Sequence, residues 1–475
     1  MNTTPPAPFV AGTWRELLGP RSGPVALVLA GGVLLEASTV YLTTSLLPTI
    51  VADIGGEQFY AWTMTTFLVA SVVTSMLVSR TLATRGSVAA YLTAFGLFGL
   101  GSVVCALAPS MPLLLLGRTV QGLGGGLLAG LGYALIQRAL PERLWAKGVA
   151  LVSAMWGVGN IVGPAVGGLF AQLDAWRLAF GALALVAALD MVLVVRVIPR
   201  LERSAQRQPL PVRSLVLLGA AVASVSVAGI FDVGGLVVAA LVLGAVLVMG
   251  FVRHERRSST SVLPAATFAP GSRLVWVYLA VAVLALGVGT EAFIPLVGQE
   301  TGSMTPFLAG FLGAALSLGW SVVQVVSAGA TRPPLVRAAT VAGPAVLATG
   351  LLAFAALQVE GPSGLVVTGW FVVLFVAGSG IGLAFPHLSV AAFASTTDSD
   401  EGSKAAAGIN TVLLIASAFS AALAGVLVTL GGDSLVTSAR LLFGVFGAVA
   451  LVGTLASVRA ARVSGVREGA AAERS

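Results

Sequence analysis

The chain has 475 residues, of which 57% are hydrophobic and only 9% are charged. Soluble proteins carry roughly a quarter charged residues, so this composition excludes an ordinary soluble domain and indicates a polytopic membrane protein. The net charge of +7 does not indicate nucleic-acid binding, because the basic residues lie mainly in the connections between apolar segments.

A membrane-spanning helix needs about 20 mainly apolar residues. By this criterion the sequence predicts fourteen spans, at about 24–49, 59–79, 88–107, 112–137, 148–170, 178–197, 214–231, 235–252, 274–297, 306–329, 338–357, 364–388, 405–430 and 436–457.

The distribution of charge supports this count. With a cytoplasmic N-terminus, 23 of the 26 basic residues fall in cytoplasmic segments, and only Arg118, Arg177 and Arg440 lie elsewhere. The external connections are acidic instead, with Asp53, Glu57, Asp174, Asp232, Glu300, Glu360 and Asp433. Omitting one span would invert every later connection, so we expect fourteen spans in the cell (inner) membrane with both termini in the cytoplasm.

Two basic, proline-containing connections, 198–213 and 253–273, divide the chain. The sequence therefore predicts an all-α membrane protein with four parts. Residues 1–197 form a six-helix bundle with a short interfacial segment near its start, and 198–273 a linker with two additional helices. Residues 274–457 form a second six-helix bundle, and 458–475 a cytoplasmic tail. Glycine-dense stretches in the fourth and twelfth spans form a weak internal repeat, which is typical of transporters.

Three segments carry a family resemblance: LGRTVQGLGGG at 116–126, GVGNIVGPAVGG at 157–168 and LTTSLLPTIVADIG at 42–55. With them, the chain resembles the fourteen-helix drug:proton antiporters of the major facilitator superfamily. The resemblance implies the major facilitator fold and export in exchange for protons. The chain departs from the pattern at 79–87, where Thr84 stands near the usual aspartate. Thr39 stands at the place of the first-helix aspartate, and Glu36 lies one turn earlier.

Charged residues inside a membrane are costly and mark functional sites. Glu36 lies roughly 17 Å above the cytoplasmic side by helix rise, and Arg118 roughly 21 Å above it in a ~30 Å core. Glu36, Thr39 and Thr43 share one helical face, as do Arg118 and Gln121. We expect both faces to line a central cavity, with Glu36 exchanging a proton and the others contacting substrate or coupling it. The alternative is a static Glu–Arg pair that stabilises the bundle.

Four further polar residues lie within predicted spans. Asp190 and Glu291 are candidate proton-coupling groups, although Asp190 could pair with a loop arginine and Glu291 could reach interfacial water. Asn160 and Asn410 are candidate cavity residues, although each could equally form a hydrogen bond between helices.

The fifth span holds a glycine–proline motif that we predict to act as a gate: Gly157, Gly163, Pro164, Gly167 and Gly168. Small residues allow close packing against a helix of the other bundle, and a proline kinks the helix. Ordinary glycine packing is the alternative.

The sequence therefore favours a proton-coupled multidrug efflux antiporter that exports amphipathic small molecules by alternating access. Its expected partners are such substrates, protons and the lipid bilayer, with no nucleic acid, and it is expected to be a monomer. The same fold exporting lipids or lipid-linked metabolites is the alternative. A membrane enzyme is disfavoured because His254 and His387 have no metal-ligand spacing with other residues. No metal, cofactor or catalytic residue is expected. A membrane sensor or scaffold is the remaining alternative function.

Overall fold

The computed structural model describes residues 13–200, 211–228, 234–258, 263–330, 332–393 and 399–472. Regular structure in these ranges is helical. The helices before the linker are α1 (Trp14–Leu17), α2 (Gly23–Ile54), α3 (Trp62–Ser75), α4 (Val78–Arg85), α5 (Ser87–Ala106), α6 (Met111–Ala134), α7 (Ile136–Ala139), α8 (Trp145–Gln172) and α9 (Trp176–Val197).

Two helices lie within the linker, α10 (Val212–Ala228) and α11 (Gly234–Glu255). The remaining helices are α12 (Arg273–Thr290), α13 (Ile294–Glu300), α14 (Pro306–Ser327), α15 (Pro333–Ala356), α16 (Gly364–Phe393), α17 (Ser399–Leu430) and α18 (Leu435–Ala472). We call α2–α9 the N-terminal helices and α12–α18 the C-terminal helices.

Ten helical segments in the described residues are long and apolar enough to cross a membrane. The other four predicted spans coincide with α3, α6, α10 and α17. The helices α3 and α10 are short, with 14 and 17 residues. In α6, Arg118, Gln121 and many glycines lower the mean hydropathy.

Two predicted spans are broken helices. The second span divides between α3 and α4, and the ninth divides between α12 and α13 at residues 291–293. Proline contributes to the break between α12 and α13. Pro295 has no N–H to donate, so it is best tolerated in the first turn of a helix, and it lies in the first turn of α13. At the end of α2 the chain turns sharply through Gly55 and Gly56, whose φ angles of 68° and 88° favour glycine.

The N-terminal and C-terminal helices share one packing pattern. Among the N-terminal helices, α2 packs against α8, α6 against both α3 and α5, and α5 against α9. The C-terminal helices repeat this order: α12 packs against α17, α16 against both α14 and α15, and α15 against α18. Hence α2 corresponds to α12, α3 to α14 and α8 to α17.

The N-terminal and C-terminal helices meet along two main seams, α8 with α14 and α3 with α17. The helix α10 packs against both α3 and α17, and α11 packs on α10. Large apolar side chains on the outward surface of α9 and α11 are exposed, among them Leu185, Leu189, Val242 and Met249. Such a surface suits contact with lipid.

The connections at opposite ends of the helices differ in charge. We call the end with Arg80, Arg85 and Arg143 the basic end, and the end with Asp53, Glu57 and Glu300 the acidic end. At the basic end α1 is tied to the N-terminal helices, because Arg143 Nε donates a 2.7 Å hydrogen bond to Glu16 Oε1. This contact holds the pKa of Glu16 below its usual value.

Candidate functional site

Glu36 lies in the interior of α2, where its side chain is only 3% exposed. Ser71 Oγ of α3 donates a 2.8 Å hydrogen bond to Glu36 Oε1. Glu36 Oε2 is buried without a hydrogen-bond partner. Gly125 of α6 makes room for this carboxyl, since a Cβ on Gly125 would lie 3.4 Å from Glu36 Cγ.

Arg118 of α6 is fully buried. Its Nε donates to the Thr63 carbonyl oxygen at 3.2 Å, and its Nη1 donates to Gln121 Oε1. Gln121 Nε2 in turn donates to Ser102 Oγ of α5 at 2.8 Å. Arg118 Nη2 has no partner. The guanidinium is therefore held by α3, α5 and its own helix.

Phe67 of α3 contacts Arg118 and lies close to Gly125, the glycine beside Glu36. Arg118 Cζ is 4.2 Å from the centre of the Phe67 ring, a cation–π contact. A Cβ on Gly125, which would touch Glu36, would also lie 3.2 Å from Phe67 Cζ. Thr63, Phe67 and Ser71 are four residues apart, so one face of α3 contacts both charged groups.

Glu36 and Arg118 thus contact the same face of α3 but do not form an ion pair. In the described part of the chain the ion pairs join Glu16 to Arg143 and Asp53 to Arg177. Both Glu36 and Arg118 are buried in this state rather than lining an open cavity.

The two threonines that share the Glu36 face are also buried. Thr39 is fully buried, and its hydroxyl has no hydrogen-bond partner. Thr43 Oγ1 donates to the Thr39 carbonyl oxygen at 2.7 Å, so it is satisfied within α2.

Glu291 lies at the break between α12 and α13 and is 1% exposed. Ser317 Oγ of α14 donates to Glu291 Oε1, and Glu291 Oε2 has no partner. The same Ser317 Oγ lies 3.0 Å from Tyr41 Oη of α2. The Ser317 hydroxyl therefore links the side-chain carboxyl of Glu291, among the C-terminal helices, to α2 of the N-terminal helices.

Asn160 of α8 joins the same cluster from the N-terminal side. Its Nδ2 donates to the Ser317 carbonyl oxygen at 3.3 Å and to Ser321 Oγ at 3.0 Å. Asn160 Oδ1 is buried without a partner. We call Tyr41, Asn160, Glu291, Ser317 and Ser321 the bridging cluster.

Two other candidates lie apart from these groups. Asp190 of α9 is half-buried, and a Cβ on Gly31 of α2 would lie 3.4 Å from its Oδ2. Its neighbours Leu189 and Val192 are exposed on the outer surface of the helices. Asn410 belongs to α17, but its side chain lies outside the described residues.

The glycines of the predicted gate differ in their surroundings: two pack against α2, one packs against α14, and one faces open space. A Cβ on Gly163 would lie 2.7 Å from the Ser38 carbonyl oxygen, and one on Gly167 would lie 2.6 Å from that of Leu42, so both pack against α2. A Cβ on Gly168 would lie 2.5 Å from Phe307 Cα of α14. A Cβ on Gly157 would meet nothing within 4 Å.

Pro164 lies inside α8 at the seam with the C-terminal helices, because a Cβ on Gly310 of α14 would lie 3.1 Å from the Pro164 carbonyl oxygen. Gly168 and Pro164 are therefore the motif residues that contact the C-terminal helices.

Residues 29–402 match the sequence pattern of the Major Facilitator Superfamily. The chain belongs to this superfamily. It is a multi-pass membrane transporter, and the superfamily is not a class of enzymes.

Two bacterial transporters are similar to this chain in sequence. A "Probable multidrug-efflux transporter" of Mycobacterium tuberculosis (strain ATCC 25618 / H37Rv) is 45% identical over 461 residues, which cover 94% of this chain and 96% of that protein. A "Multidrug efflux pump" of Staphylococcus aureus (strain N315) is 24% identical over 289 residues, covering 60% of this chain and 64% of the pump.

Solved structures share the superfamily fold. A peptide transporter of the POT family in complex with sulfate matches with a TM-score of 0.69 at 16% identity, covering 94% of this chain and 96% of that one. A D-xylose–proton symporter matches with a TM-score of 0.65 at 15% identity, covering 91% and 96%. At this identity the likeness concerns the fold alone.

Within this superfamily fold, the two buried carboxyls lie on corresponding helices. Glu36 of α2 is bonded by Ser71 of α3, and Glu291 at the end of α12 is bonded by Ser317 of α14. Because α2 corresponds to α12 and α3 to α14, the bundle repeats a carboxyl–hydroxyl pair. Each pair leaves one carboxylate oxygen without a partner, and each carboxyl can take up or lose a proton without losing the other contact.

Sequence reasoning identified the two glutamates but missed Ser71, Phe67, Ser317 and Tyr41. Serine is common in membrane helices, so its presence alone does not indicate a site. The partners are also distant in the sequence: Ser71 lies 35 positions from Glu36, and Ser317 lies 276 positions from Tyr41. The internal repeat was the one signal that could have paired Glu36 with Glu291.

Proposed function

We propose that this chain is a proton-driven exporter of amphipathic small molecules, of the fourteen-helix drug:proton antiporter type. In this proposal two six-helix bundles, 1–197 and 274–457, alternate about a central site, and residues 198–273 supply two additional helices. The basic end and both termini face the cytoplasm, following the positive-inside rule. The named function of the 45% identical relative supports export, as does the glycine–proline motif of α8.

The observation that carries the proposal is the environment of Glu36. This carboxyl is buried inside a membrane-spanning helix, receives one hydroxyl hydrogen bond and has no cationic partner in the described residues. A buried carboxylate is poorly stabilised unless it is paired, so a proton on the second oxygen suits this state. Movement of α2 relative to α3 would change that balance and release the proton.

Arg118 supplies the positive charge that would favour the charged form of Glu36 over its protonated form. Its Nη2 is buried without a partner, and its guanidinium packs on the Phe67 ring of α3, the helix whose Ser71 bonds Glu36. If Phe67 rotates or α3 shifts, the guanidinium can approach the carboxylate and stabilise its charged form. In our proposal Arg118, Gln121, Thr39 and Thr43 therefore serve coupling, and Asn410 and Asp190 remain candidates for cavity and basic-end roles.

The bridging cluster gives the second carboxyl a role in the conformational change. Glu291 is linked through Ser317 to Tyr41, so its hydrogen bond spans the contact between α14 and α2. We propose that gain or loss of a proton at Glu291 changes how firmly these helices hold together. Protonation at two corresponding carboxyls would then link proton movement to alternating access.

Transport of ethidium into inside-out proteoliposomes with an imposed pH gradient tests the proposal. We expect the native chain to accumulate ethidium, and Glu36→Gln to lose gradient-driven accumulation while retaining exchange of ethidium down its own gradient. Glu360→Gln, at an exposed carboxyl of the acidic end, is the matched control and should behave as the native chain. Uphill accumulation by Glu36→Gln would reject the assignment of Glu36.

Export of lipids by the same fold would require a lateral opening between the two sets of helices. At the α3–α17 seam, Leu215, Leu218 and Val222 of α10 pack beside Val72 and Ile415, leaving a space of about 10 Å³. A water molecule barely fits such a space. This covered seam favours a substrate that enters from the aqueous side, and no feature of the described residues favours lipid export.

A further inference from the structure

A second cavity, of about 400 Å³, opens at the acidic end between the N-terminal and C-terminal helices. Its walls come from the end of α2, the start of α3, the segment around α13 and the ends of α10 and α17. We call it the outer vestibule. On α2 its wall begins at Pro48, twelve residues and about 18 Å of helix rise beyond Glu36. The vestibule is therefore separate from the buried site around Glu36 and Arg118.

The size of the vestibule suits a small molecule. Sites for drug-sized ligands have volumes of about 300–1,000 Å³ and are lined mainly by apolar and aromatic groups with a few polar ones. The vestibule follows this composition, with Tyr60, Trp62, Phe293 and Leu296 beside Glu57 and Glu300.

The aromatic walls are built from both sets of helices. Tyr60, just before α3, stacks on Phe293 at the α12–α13 break, with ring centres 5.0 Å apart and planes inclined by 26°. Trp62 is oriented by its indole N–H, which donates to the Ser226 carbonyl oxygen of α10 at 3.1 Å. Aromatic faces of this kind attract organic cations.

The charge of the vestibule has one sign. Glu57 and Glu300 are exposed at its rim, and the lining residues among those described include no lysine or arginine. A concave surface with like charges concentrates ions of the opposite sign. A cation that entered here would be held by two carboxylates and three aromatic rings.

One polar atom in the wall has no partner. Tyr60 is 6% exposed, and its hydroxyl is buried without a hydrogen bond. A tyrosine hydroxyl is protonated at neutral pH, so it can donate as well as accept. A buried hydroxyl without a partner is costly, and a polar group of a ligand in the vestibule would satisfy it once the wall around Tyr60 moved to admit it.

We propose that the outer vestibule binds amphipathic aromatic cations that carry a hydrogen-bonding group, as a site distinct from the central one. Glu57 and Glu300 would attract the positive charge, Tyr60, Trp62 and Phe293 would contact the aromatic body, and the Tyr60 hydroxyl would bond the polar group. If the export proposed above is correct, this is where a cation pauses on its way out, but binding here does not depend on that function.

Ethidium binding to the full chain in phosphatidylglycerol nanodiscs, followed by fluorescence titration without a pH gradient, tests the inference. We expect Glu57→Gln combined with Glu300→Gln to weaken ethidium binding at least about fivefold, while Glu360→Gln leaves it unchanged. Tyr60→Phe should weaken ethidium, which carries amino groups, but not tetraphenylphosphonium, which has no hydrogen-bonding group.

The outcomes separate this inference from the proposed function. If the double variant binds ethidium as the native chain does, the vestibule is not a cation site, whatever the transport result. If vestibule variants weaken binding while Glu36→Gln binds normally, the site exists even where transport fails. If phosphatidylcholine in the nanodisc abolishes ethidium binding by competition, the cavity holds lipid headgroups, and our choice of ligand is wrong.

Discussion

The buried charges of this chain are stabilised by neighbours from several helices rather than by one opposite charge. Arg118 has a carbonyl, an amide and a ring as partners, each from a different position: Thr63, Gln121 and Phe67. Because removal of a single partner leaves a buried donor unsatisfied, each one matters to stability. This arrangement also keeps the guanidinium available, since none of these partners neutralises it.

Gln121→Ala tests how far Arg118 depends on its amide partner. The change removes the acceptor of Arg118 Nη1 and the donor to Ser102, so we expect a loss of about 1–3 kcal/mol in the free energy of unfolding. Thr119→Ala on the same helix is the control, since its hydroxyl bonds only to the Leu115 carbonyl oxygen one turn earlier. Thermal unfolding in detergent measures both, and equal melting temperatures would contradict this reading of Gln121.

At the scale of one helix, α8 carries two kinds of glycine. Gly163 and Gly167 let the backbone of α2 approach, whereas Gly157 faces open space. The motif is therefore mainly a packing surface within the N-terminal helices, and only Pro164 and Gly168 reach α14. A sequence pattern alone assigned all five residues to one gate, because spacing shows that residues share a face but not which helix they meet.

Gly163→Ala and Gly157→Ala separate these two kinds of position. A Cβ on Gly163 would lie 2.7 Å from both the Ser38 carbonyl oxygen and Tyr41 Cβ, so overpacking should cost about 1–3 kcal/mol. Gly157→Ala should be neutral or slightly stabilising, since alanine favours a helix over glycine by about 1 kcal/mol. Unfolding temperatures of the two variants give the comparison. A stable Gly163→Ala would mean that α2 and α8 pack less tightly than the structure indicates.

Hydropathy and charge were sufficient to predict the positions of the long helices, and the resemblance of three motifs predicted the superfamily fold. In this state Glu36 and Arg118 are buried instead of lining the expected cavity. The sequence could not predict the break at Glu291, because a continuous apolar segment reads the same whether one helix or two cross the membrane. Nor could it predict that Phe67 packs on Arg118, since an aromatic residue in an apolar span gives no sign of what it contacts. The bridging cluster was out of reach for a similar reason, as its hydrogen bonds join distant parts of the chain.

At the scale of the whole molecule, the acidic end is closed along the seam between α8 and α14, whereas the outer vestibule opens beside α3 and α17. At the closed seam Gly168 meets the backbone of Phe307, and Gly310 lies beside Pro164. Asn160, Ser317 and Ser321 of the bridging cluster lie on the same two helices and add the hydrogen bonds of the Asn160 amide. Alternating access requires these contacts to separate, so the balance between closed and open states depends on this seam.

Gly168→Ala should shift that balance toward the open acidic end. Its Cβ would lie 2.5 Å from Phe307 Cα and 3.0 Å from the Pro306 carbonyl oxygen, and these backbone atoms cannot move aside as a flexible side chain could. An overpacking cost of about 1–3 kcal/mol would fall on the closed state alone. Each 1.4 kcal/mol of this cost would lower the ratio of closed to open molecules about tenfold. Electron–electron distance measurements between spin labels at exposed positions 172 and 308 should then show a larger fraction of long distances. Gly157→Ala, labelled at the same positions, should retain the native distribution. A native distribution in Gly168→Ala would mean that the α8–α14 contact does not control opening of the acidic end.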